Sequence, residues 1–184
     1  MERVKGPDIL RDQELVQLVN EYQGMLLRLC YVMLHDQEQA KDAVQETFLK
    51  AYQGWSSFRG ESSRKTWLVR IAVNLCRDMQ RGGWFRYVDK RVTPEDLPCA
   101  ATPAQQEDLD LMCAVMALPP KLREVVTLYY WQEMTLREIG QALGTTPSNV
   151  SVRLKKARGK LRKELEGRYR RGQAQREAND STGL

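Results

Sequence analysis

Hydrophobic residues recur at spacings of three and four along most of the 184-residue chain. This period places them on one face of an α-helix, and it predicts helices over 12–34, 37–53 and 64–81. After an interruption the same period resumes over 109–165, with a break at a pair of prolines. The pattern therefore predicts an all-α fold.

The helical pattern dissolves in the middle of the chain, over 85–105, where prolines, small residues and acids dominate. Such a composition is typical of a linker. We therefore expect two small helical domains, over 10–84 and 106–167, joined by a flexible acidic linker. From 168 to 184 the chain has little apolar content, which predicts a disordered tail.

The stretch that begins at Thr135 has the signals of two helices joined by a tight turn. Thr135 and Glu138 form a T-x-x-E capping box, which satisfies free backbone donors at a helix start. Gly144 suits the left-handed residue that ends this helix, and Thr146 with Pro147 can begin the next one. These features predict a helix-turn-helix in the second domain.

The second helix of this motif is strongly basic. Residues 153–176 contain eleven basic and two acidic residues, a net charge of +9 in a chain whose total is +5. A basic helix is often only a solvated face, but here the charge is of one sign. Ser148, Asn149 and Ser151 also lie at the helix start, where side chains reach base edges in a major groove. The motif therefore predicts DNA binding.

Two helices of the first domain carry polar faces for which the sequence allows two interpretations each. Over 37–53 the face opposite the apolar stripe contains Leu49 among acids, so it is either a solvated face or a protein-docking face. Over 64–81 four side chains share one outward face, at spacings of four, three and four: Arg70, Asn74, Arg77 and Arg81. That face is either solvated or a track for nucleic acid.

The loop between these helices, residues 54–63, contains large aromatic side chains at Trp55 and Phe58. Aromatic side chains in a polar loop usually fold back onto the core, but an exposed ring can also stack on an unpaired base. The sequence is compatible with both arrangements.

Metal, disulfide and catalytic sites are not indicated. Cys30, Cys76, Cys99 and Cys113 are far apart in sequence, which favours buried free thiols over disulfides or zinc ligands. The single histidine, His35, is expected near a helix end. Scattered acids argue against metal-assisted nuclease or transposase chemistry, so we expect no enzymatic activity, metal or cofactor. Without a signal peptide or membrane-spanning run, the expected location is a reducing cytoplasm.

Three segments together resemble the extracytoplasmic-function (ECF) sigma factors of bacterial RNA polymerase. They are DAVQETFLKAY (Asp42–Tyr52), FRGESSRKTWLVRIAVNLCRD (Phe58–Asp78) and ALPPKLREVVTLYYWQEMTLREIGQALGTTPSNVSVRLKKARGKL (Ala117–Leu161). The resemblance extends over about 15–165 and is to the two-domain members of the family. It departs at Ser62–Lys65, which is more polar than the family's usual lead-in, and at Glu133–Met134, where the family often has glycine.

The resemblance implies a role for each domain. The helix over 37–53 is expected to dock on core RNA polymerase through Asp42, Gln45, Glu46 and Leu49. The loop and helix that follow are expected to bind the single-stranded minus-ten element through Phe58, Arg59, Lys65, Arg70, Asn74 and Arg77. The second domain is expected to bind the duplex minus-thirty-five element, with base contacts from Ser148, Asn149, Ser151 and Arg153 and phosphate contacts from Lys155, Lys156 and Arg158.

The implied function is that of an alternative sigma factor, which binds core polymerase and promoter DNA and takes no small-molecule substrate. The family also implies restraint by an anti-sigma factor, either membrane-associated or soluble. The alternative is a helix-turn-helix repressor or activator that does not join polymerase. It is disfavoured because such a protein would not need a basic face with Arg70, Asn74 and Arg77 in its first domain.

Overall fold

The computed structural model describes residues 6–81 and 103–182, with side chains described over 13–81, apart from Ser57, and over 110–170. The regular secondary structure of these residues is helical, and no strand occurs in either described range. We number the helices α1 (Gly6–Leu34), α2 (Gln37–Gln53), α3 (Arg64–Arg81), α4 (Pro103–Met116), α5 (Pro120–Val126), α6 (Leu136–Leu143) and α7 (Pro147–Thr182). A 3-10 turn covers Trp55–Ser57, and a π-helical segment, Thr127–Trp131, continues α5. The predicted all-α fold is confirmed.

Helices α1, α2 and α3 form the first domain around a common apolar core. Between α1 and α2 the chain reverses at His35, whose φ of 59° lies in the left-handed region. Asp36 then caps α2, because its carboxylate accepts a hydrogen bond from the backbone N–H of Gln39 at 2.9 Å. The expectation that His35 lies near a helix end is confirmed, as are the predicted bounds of α2 and α3.

The second domain contains α4 to α7, and α6 with α7 is the helix-turn-helix. The capping box is present: the Thr135 hydroxyl accepts from the backbone N–H of Glu138, and the Glu138 carboxylate accepts from that of Thr135. Those hydrogen bonds lower the pKa of Glu138. Gly144 ends α6 with a φ of 64°, in the left-handed region as predicted. Thr146 begins α7 by accepting from the backbone N–H of Asn149 at 3.2 Å.

Gly140 sets how closely the turn approaches α6. A Cβ at this position would lie 2.8 Å from the carbonyl oxygen of Thr145, a distance that real Cβ contacts do not reach. The obstacle is backbone, so it cannot rotate away as a side chain would. A glycine at this position is therefore required by the geometry of the motif.

We expect Gly140→Ala to destabilise the protein by about 1–2 kcal/mol, because the overpacking penalty exceeds the gain in helix propensity. Gly159→Ala is the matched control: Gly159 lies within α7, and a Cβ there meets nothing within 4 Å. That substitution should stabilise the protein by up to about 1 kcal/mol. Urea unfolding of the full chain measures both. Equal effects of the two substitutions would contradict the assignment of Gly140.

Glu133 occupies the position at which the resemblance departs from the family's glycine. Its φ is 51°, so a non-glycine side chain is held in the left-handed region. For an ordinary residue this conformation costs about 1–2 kcal/mol. The turn therefore keeps a geometry that suits glycine, although the residue is glutamate.

The prediction of a disordered tail from residue 168 is wrong, because α7 continues to Thr182. The tail contains no proline and is rich in arginine, glutamine, alanine and glutamate, which favour helix. Arg168 adds ion pairs to Glu164 in the same helix, at 3.2 Å, and to Asp110 of α4, at 3.6 Å. Low apolar content was a poor guide here, since a helix that extends from a folded domain needs no core of its own.

The predicted linker lies largely outside the described residues, which resume at Pro103 with α4. Residues 103–105, assigned to the linker from the sequence, therefore belong to a helix. The described helices include none that is both long and apolar enough to cross a membrane.

The two domains pack against each other mainly through α3, and α1 adds contacts to α5 and to the π-helical segment. Helix α3 contacts α1 and α2 within its own domain and α6 in the second domain. The apolar stripe of α3 predicts burial of six residues: Trp67, Leu68, Ile71, Ala72, Leu75 and Met79. Leu68, Ala72 and Leu75 are buried, and the other three are partly buried. Val69 and Val73 lie outside that stripe and are nevertheless 0% exposed. Helix α3 is covered by α1, α2 and α6 together, so more of its surface is buried than a single stripe.

Candidate functional site

The proposed docking face of α2 lies at the surface. Asp42 and Gln45 are exposed, Glu46 is half-buried beside Lys50, and the Leu49 side chain is 50% exposed. The opposite side of α2 is buried in the core, which fixes the direction of the exposed face. A single exposed leucine is common on protein surfaces, so the groove around Leu49, rather than its exposure alone, makes this face a candidate for docking.

These four residues line one groove of about 640 Å³, whose remaining wall comes from α2 and α3. The contributors from α3 are Leu75 and Met79, and Ala43 forms part of the floor. The sequence pattern assigned Leu75 and Met79 to the core stripe of α3, so it did not indicate their place beside the docking face. Only the packing of α3 against α2 brings them there.

The aromatic side chains of the loop after α2 fold together. The Phe58 ring lies 4.8 Å from the Trp67 ring of α3, and Trp55 lies 5.9 Å from Trp67, measured between centroids. The Arg64 guanidinium stands over the Trp55 ring at 5.5 Å. Trp55 and Phe58 are both half-buried. Of the two arrangements that the sequence allowed, the structure has the rings packed on Trp67, with part of each surface still exposed.

The six residues predicted to bind the minus-ten element lie in three different structural environments. Arg59, Arg70 and Asn74 are exposed, and the latter two lie on one face of α3. Phe58 belongs to the aromatic cluster. The remaining two, Lys65 and Arg77, make hydrogen bonds to the second domain.

Arg77 and Glu124 form a bidentate ion pair between α3 and α5. Arg77 Nε and Nη2 donate to the two carboxylate oxygens of Glu124 at 2.9 and 2.8 Å. Glu124 is 5% exposed and Arg77 27% exposed, so the pair is largely shielded from water. The hydrogen bonds to Glu124 raise the pKa of Arg77. At the other end of α3, Lys65 Nζ donates to the backbone carbonyl of Gln132.

A neighbouring arginine also connects the domains. The Arg123 guanidinium bonds to His35 Nε2 in the first domain and to the carbonyl of Met116. Burial lowers the pKa of Arg123 to about 10. Since a guanidinium can only donate, His35 Nε2 is the acceptor in this contact.

The start of α7 presents the residues predicted to contact bases of the minus-thirty-five element. Ser148, Asn149 and Ser151 are exposed, and Arg153 is half-buried. The opposite side of the helix is held in the core by Val150, Leu154 and Ala157, which are at most 3% exposed. The buried stripe thus orients the first two turns of α7 with their polar side chains outward.

Among the predicted phosphate contacts, Lys155 and Lys156 are exposed, and Arg158 contacts two tyrosines. Arg158 Nε donates to the Tyr130 hydroxyl at 2.8 Å, and its guanidinium lies 5.7 and 5.6 Å from the rings of Tyr129 and Tyr130. Cation–π contacts of this kind hold an arginine in one orientation. Arg158 therefore also ties α7 to the π-helical segment.

The sequence pattern did not indicate an apolar groove of about 670 Å³ in the second domain. It lies between α4, the π-helical segment and α7, and its exposed aromatic wall is Tyr130 and Trp131. The run YYW at 129–131 carried a signal, since consecutive aromatics cannot all face the core of one helix.

The cysteines of the described residues are free thiols, and the possible metal ligands among these residues are scattered. Cys30, Cys76 and Cys113 are buried free thiols, as predicted, whereas Cys99 lies outside the described residues. A hydrogen bond with Cys30, together with burial, raises the pKa of Cys76, which keeps this thiol protonated. Over 6–81 and 103–182, no group of acids, histidines and cysteines could hold a metal ion.

Comparison with known proteins gives consistent matches along the chain. Residues 18–86 match Sigma-70 region 2 and residues 108–161 match Sigma-70 region 4. The ECF RNA polymerase sigma factor SigW of Bacillus subtilis is 32% identical over 162 residues, which cover 80% of this chain and 87% of that protein.

Solved structures share the fold. CnrH, in complex with the cytosolic domain of CnrY, is 24% identical with a TM-score of 0.65, covering 85% of this chain and 90% of that one. The sigma factor RpoE of Bartonella quintana, in complex with the anti-sigma factor NepR, is 21% identical with a TM-score of 0.66. The match covers 84% of this chain and 98% of that one.

The helices of the described residues, the helix-turn-helix and the matches to two Sigma-70 regions define a transcription initiation factor. The chain belongs to the ECF sigma factors of bacterial RNA polymerase. It is therefore an alternative sigma factor, a subunit that binds core polymerase and directs it to promoters.

Proposed function

We propose that this sigma factor docks on core polymerase through the groove along α2, and that the exposed Leu49 is its apolar contact. The observation that carries this proposal is the half-exposed leucine between Asp42, Gln45 and Glu46 in one groove. An apolar side chain at the centre of a polar rim is the usual composition of a protein interface. Polymerase would bury Leu49, while the surrounding polar side chains would set the orientation.

The first domain then binds the minus-ten element as single-stranded DNA. Arg70 and Asn74 are exposed on the same face of α3, and Arg59 is exposed on the preceding loop. An amide can both donate to and accept from a base edge, whereas arginines neutralise phosphates. In this assignment Asn74 discriminates between bases, and the arginines, with Lys65, hold the strand. The half-exposed Phe58 and Trp55 offer ring surface on which an unpaired base can stack.

The second domain binds the minus-thirty-five element as duplex DNA through the start of α7. Ser148, Asn149, Ser151 and Arg153 contact base edges in the major groove, and Lys155, Lys156 and Arg158 contact phosphates. Each base contact supplies about 1–3 kcal/mol of discrimination. Two weak binding sites on one chain also make promoter spacing part of recognition, since both must be occupied together.

An anti-sigma factor is the partner that we propose for restraint of this protein. Support comes from the two solved structures that share the fold, since one is a complex with the anti-sigma factor NepR and the other a complex with the cytosolic domain of CnrY. The protein contributes no catalytic group of its own in this proposal, and the chemistry of RNA synthesis stays with core polymerase. It acts in the cytoplasm, where polymerase and promoter DNA are found.

Reconstitution with core polymerase tests the proposal. The purified protein, added to core polymerase from the source organism and a library of genomic fragments, should give transcripts whose start sites share two upstream elements. Core polymerase alone is the control and should yield no such set. A protein that binds duplex DNA but neither associates with core polymerase nor directs transcripts would instead be a conventional repressor or activator.

A further inference from the structure

One branched apolar side chain stands on the outward face of α7, within the surface proposed for duplex DNA. Val152 is 52% exposed, although valine is among the residue types most often buried. It lies two residues from Val150 and two from Leu154, which are both buried, so its side chain is turned by about 160° from each. Val152 is therefore directed away from the core of the second domain.

The neighbours of Val152 on this face are polar or basic. Ser148 and Asn149 precede it by four and three residues, and Lys155 and Lys156 follow it by three and four. Residues at these spacings adjoin on a helix surface, and all four neighbours are exposed. An approach to DNA that brings Ser148 and Asn149 to base edges therefore places Val152 against the bases as well.

Helix stability does not account for a valine at this position. A β-branched residue loses side-chain freedom in a helix, so alanine or lysine would favour the helix more. Isolated exposed apolar residues are common, and Val16 on α1 is one, at 58% exposed. Val152 differs from Val16 in its position, because it lies among the side chains proposed to enter a major groove.

The base edges of the major groove offer one apolar group, the C5-methyl of thymine. The other groups at these edges are hydrogen-bond donors and acceptors, which a valine side chain cannot satisfy. Contact between the methyl groups of valine and of thymine removes apolar surface of both from water. The chemistry of this side chain therefore favours thymine over the other bases.

We propose that Val152 is a specificity-determining residue, which contacts the C5-methyl group of a thymine in the minus-thirty-five element. This inference rests on the proposed function of the second domain, and it adds an apolar contact to the polar contacts assigned to α7. It requires a thymine, on either strand of the element, at a position whose base preference depends on Val152.

Selection of promoter sequences by the holoenzyme tests the first part of the proposal. Core polymerase with the full chain is bound to copies of one reconstituted promoter whose minus-thirty-five region is randomised, and the bound duplexes are sequenced. Val152→Ala should lose the preference for thymine at one position and keep the other preferences. Val16→Ala is the matched control, because it shortens an exposed valine outside α7, and it should select the wild-type element.

Deoxyuracil in place of that thymine tests the methyl contact itself, because it removes the C5-methyl group and leaves base pairing intact. The wild-type holoenzyme should bind the deoxyuracil duplex about threefold to fivefold more weakly, the effect of about one methyl group removed from water. Val152→Ala should bind the two duplexes equally well. Val16→Ala should show the wild-type difference.

A Val152→Ala holoenzyme as sensitive to deoxyuracil as the wild type would overturn the proposal. So would a selected element in which no thymine preference depends on Val152, or a loss of affinity that is equal for all sequences. Failure of the proposed function gives a different result, since the wild-type protein would then form no holoenzyme or its holoenzyme would select no upstream element.

Discussion

Leu49→Asp should abolish transcription by preventing association with core polymerase. The substitution puts a carboxylate where an apolar partner surface is expected, and burial of an unpaired charge costs several kcal/mol. A loss of about 3 kcal/mol corresponds to about 100-fold weaker binding. Leu49→Ala removes only the apolar contact of a half-exposed side chain and should weaken binding by about tenfold or less.

Val16→Asp is the matched control for this experiment. Val16 lies on α1, is 58% exposed and does not line the docking groove, so the same chemical change there should leave polymerase binding unchanged. Titration of labelled protein with core polymerase gives the dissociation constants. If Leu49→Asp binds as tightly as Val16→Asp, the docking face lies elsewhere on the molecule.

Asn74→Ala should reduce promoter opening by about 10- to 100-fold while polymerase association stays intact. The amide is the exposed group on α3 that can discriminate between bases, and a good base contact supplies about 1–3 kcal/mol. The defect should persist on a promoter with a pre-melted minus-ten region, because the lost contact is to single-stranded DNA. Binding of the full chain to duplex minus-thirty-five DNA should not change.

Asn20→Ala is the corresponding control, since Asn20 is an exposed asparagine on α1 outside the proposed DNA surface. This substitution makes the same change in helix propensity as Asn74→Ala, but it removes no proposed contact with DNA. Permanganate reactivity of unpaired thymines measures opening, and gel shift measures duplex binding. Equal losses of opening and of duplex binding in Asn74→Ala would contradict a role confined to the minus-ten element.

The agreement between sequence and structure is best where a signal is contained within a few residues. Thr135, Glu138 and Gly144 specify the start and end of α6 by hydrogen bonds and backbone geometry that are local to that helix. The same holds for the alternation of apolar and polar positions that orients α2 and exposes Leu49. The tail of α7 shows the limit of composition as a guide, since low apolar content excludes a core but does not exclude a helix.

The sequence predicted the exposure of most candidate site residues but not which of them lie together. The sequence placed Arg77 beside Arg70 and Asn74 on one outward face, and the spacing is correct. A helix has no sharp boundary between faces, however, and Arg77 lies at the edge that turns toward Glu124. Likewise, the sequence predicted only a phosphate contact for Arg158, whereas in the fold Arg158 also donates a hydrogen bond to Tyr130.

The sequence by itself determined most of the helices and the helix-turn-helix, because capping and hydrophobic period act over only a few residues. It also predicted which residues meet polymerase and DNA, and those roles stay predictions. Only the tertiary structure decided which of these residues are accessible at the same time. The contacts of Lys65 with Gln132 and of Arg77 with Glu124 join residues 67 and 47 positions apart, from two different domains. Such contacts depend on the shape of both domains together, and no local pattern in either domain encodes them.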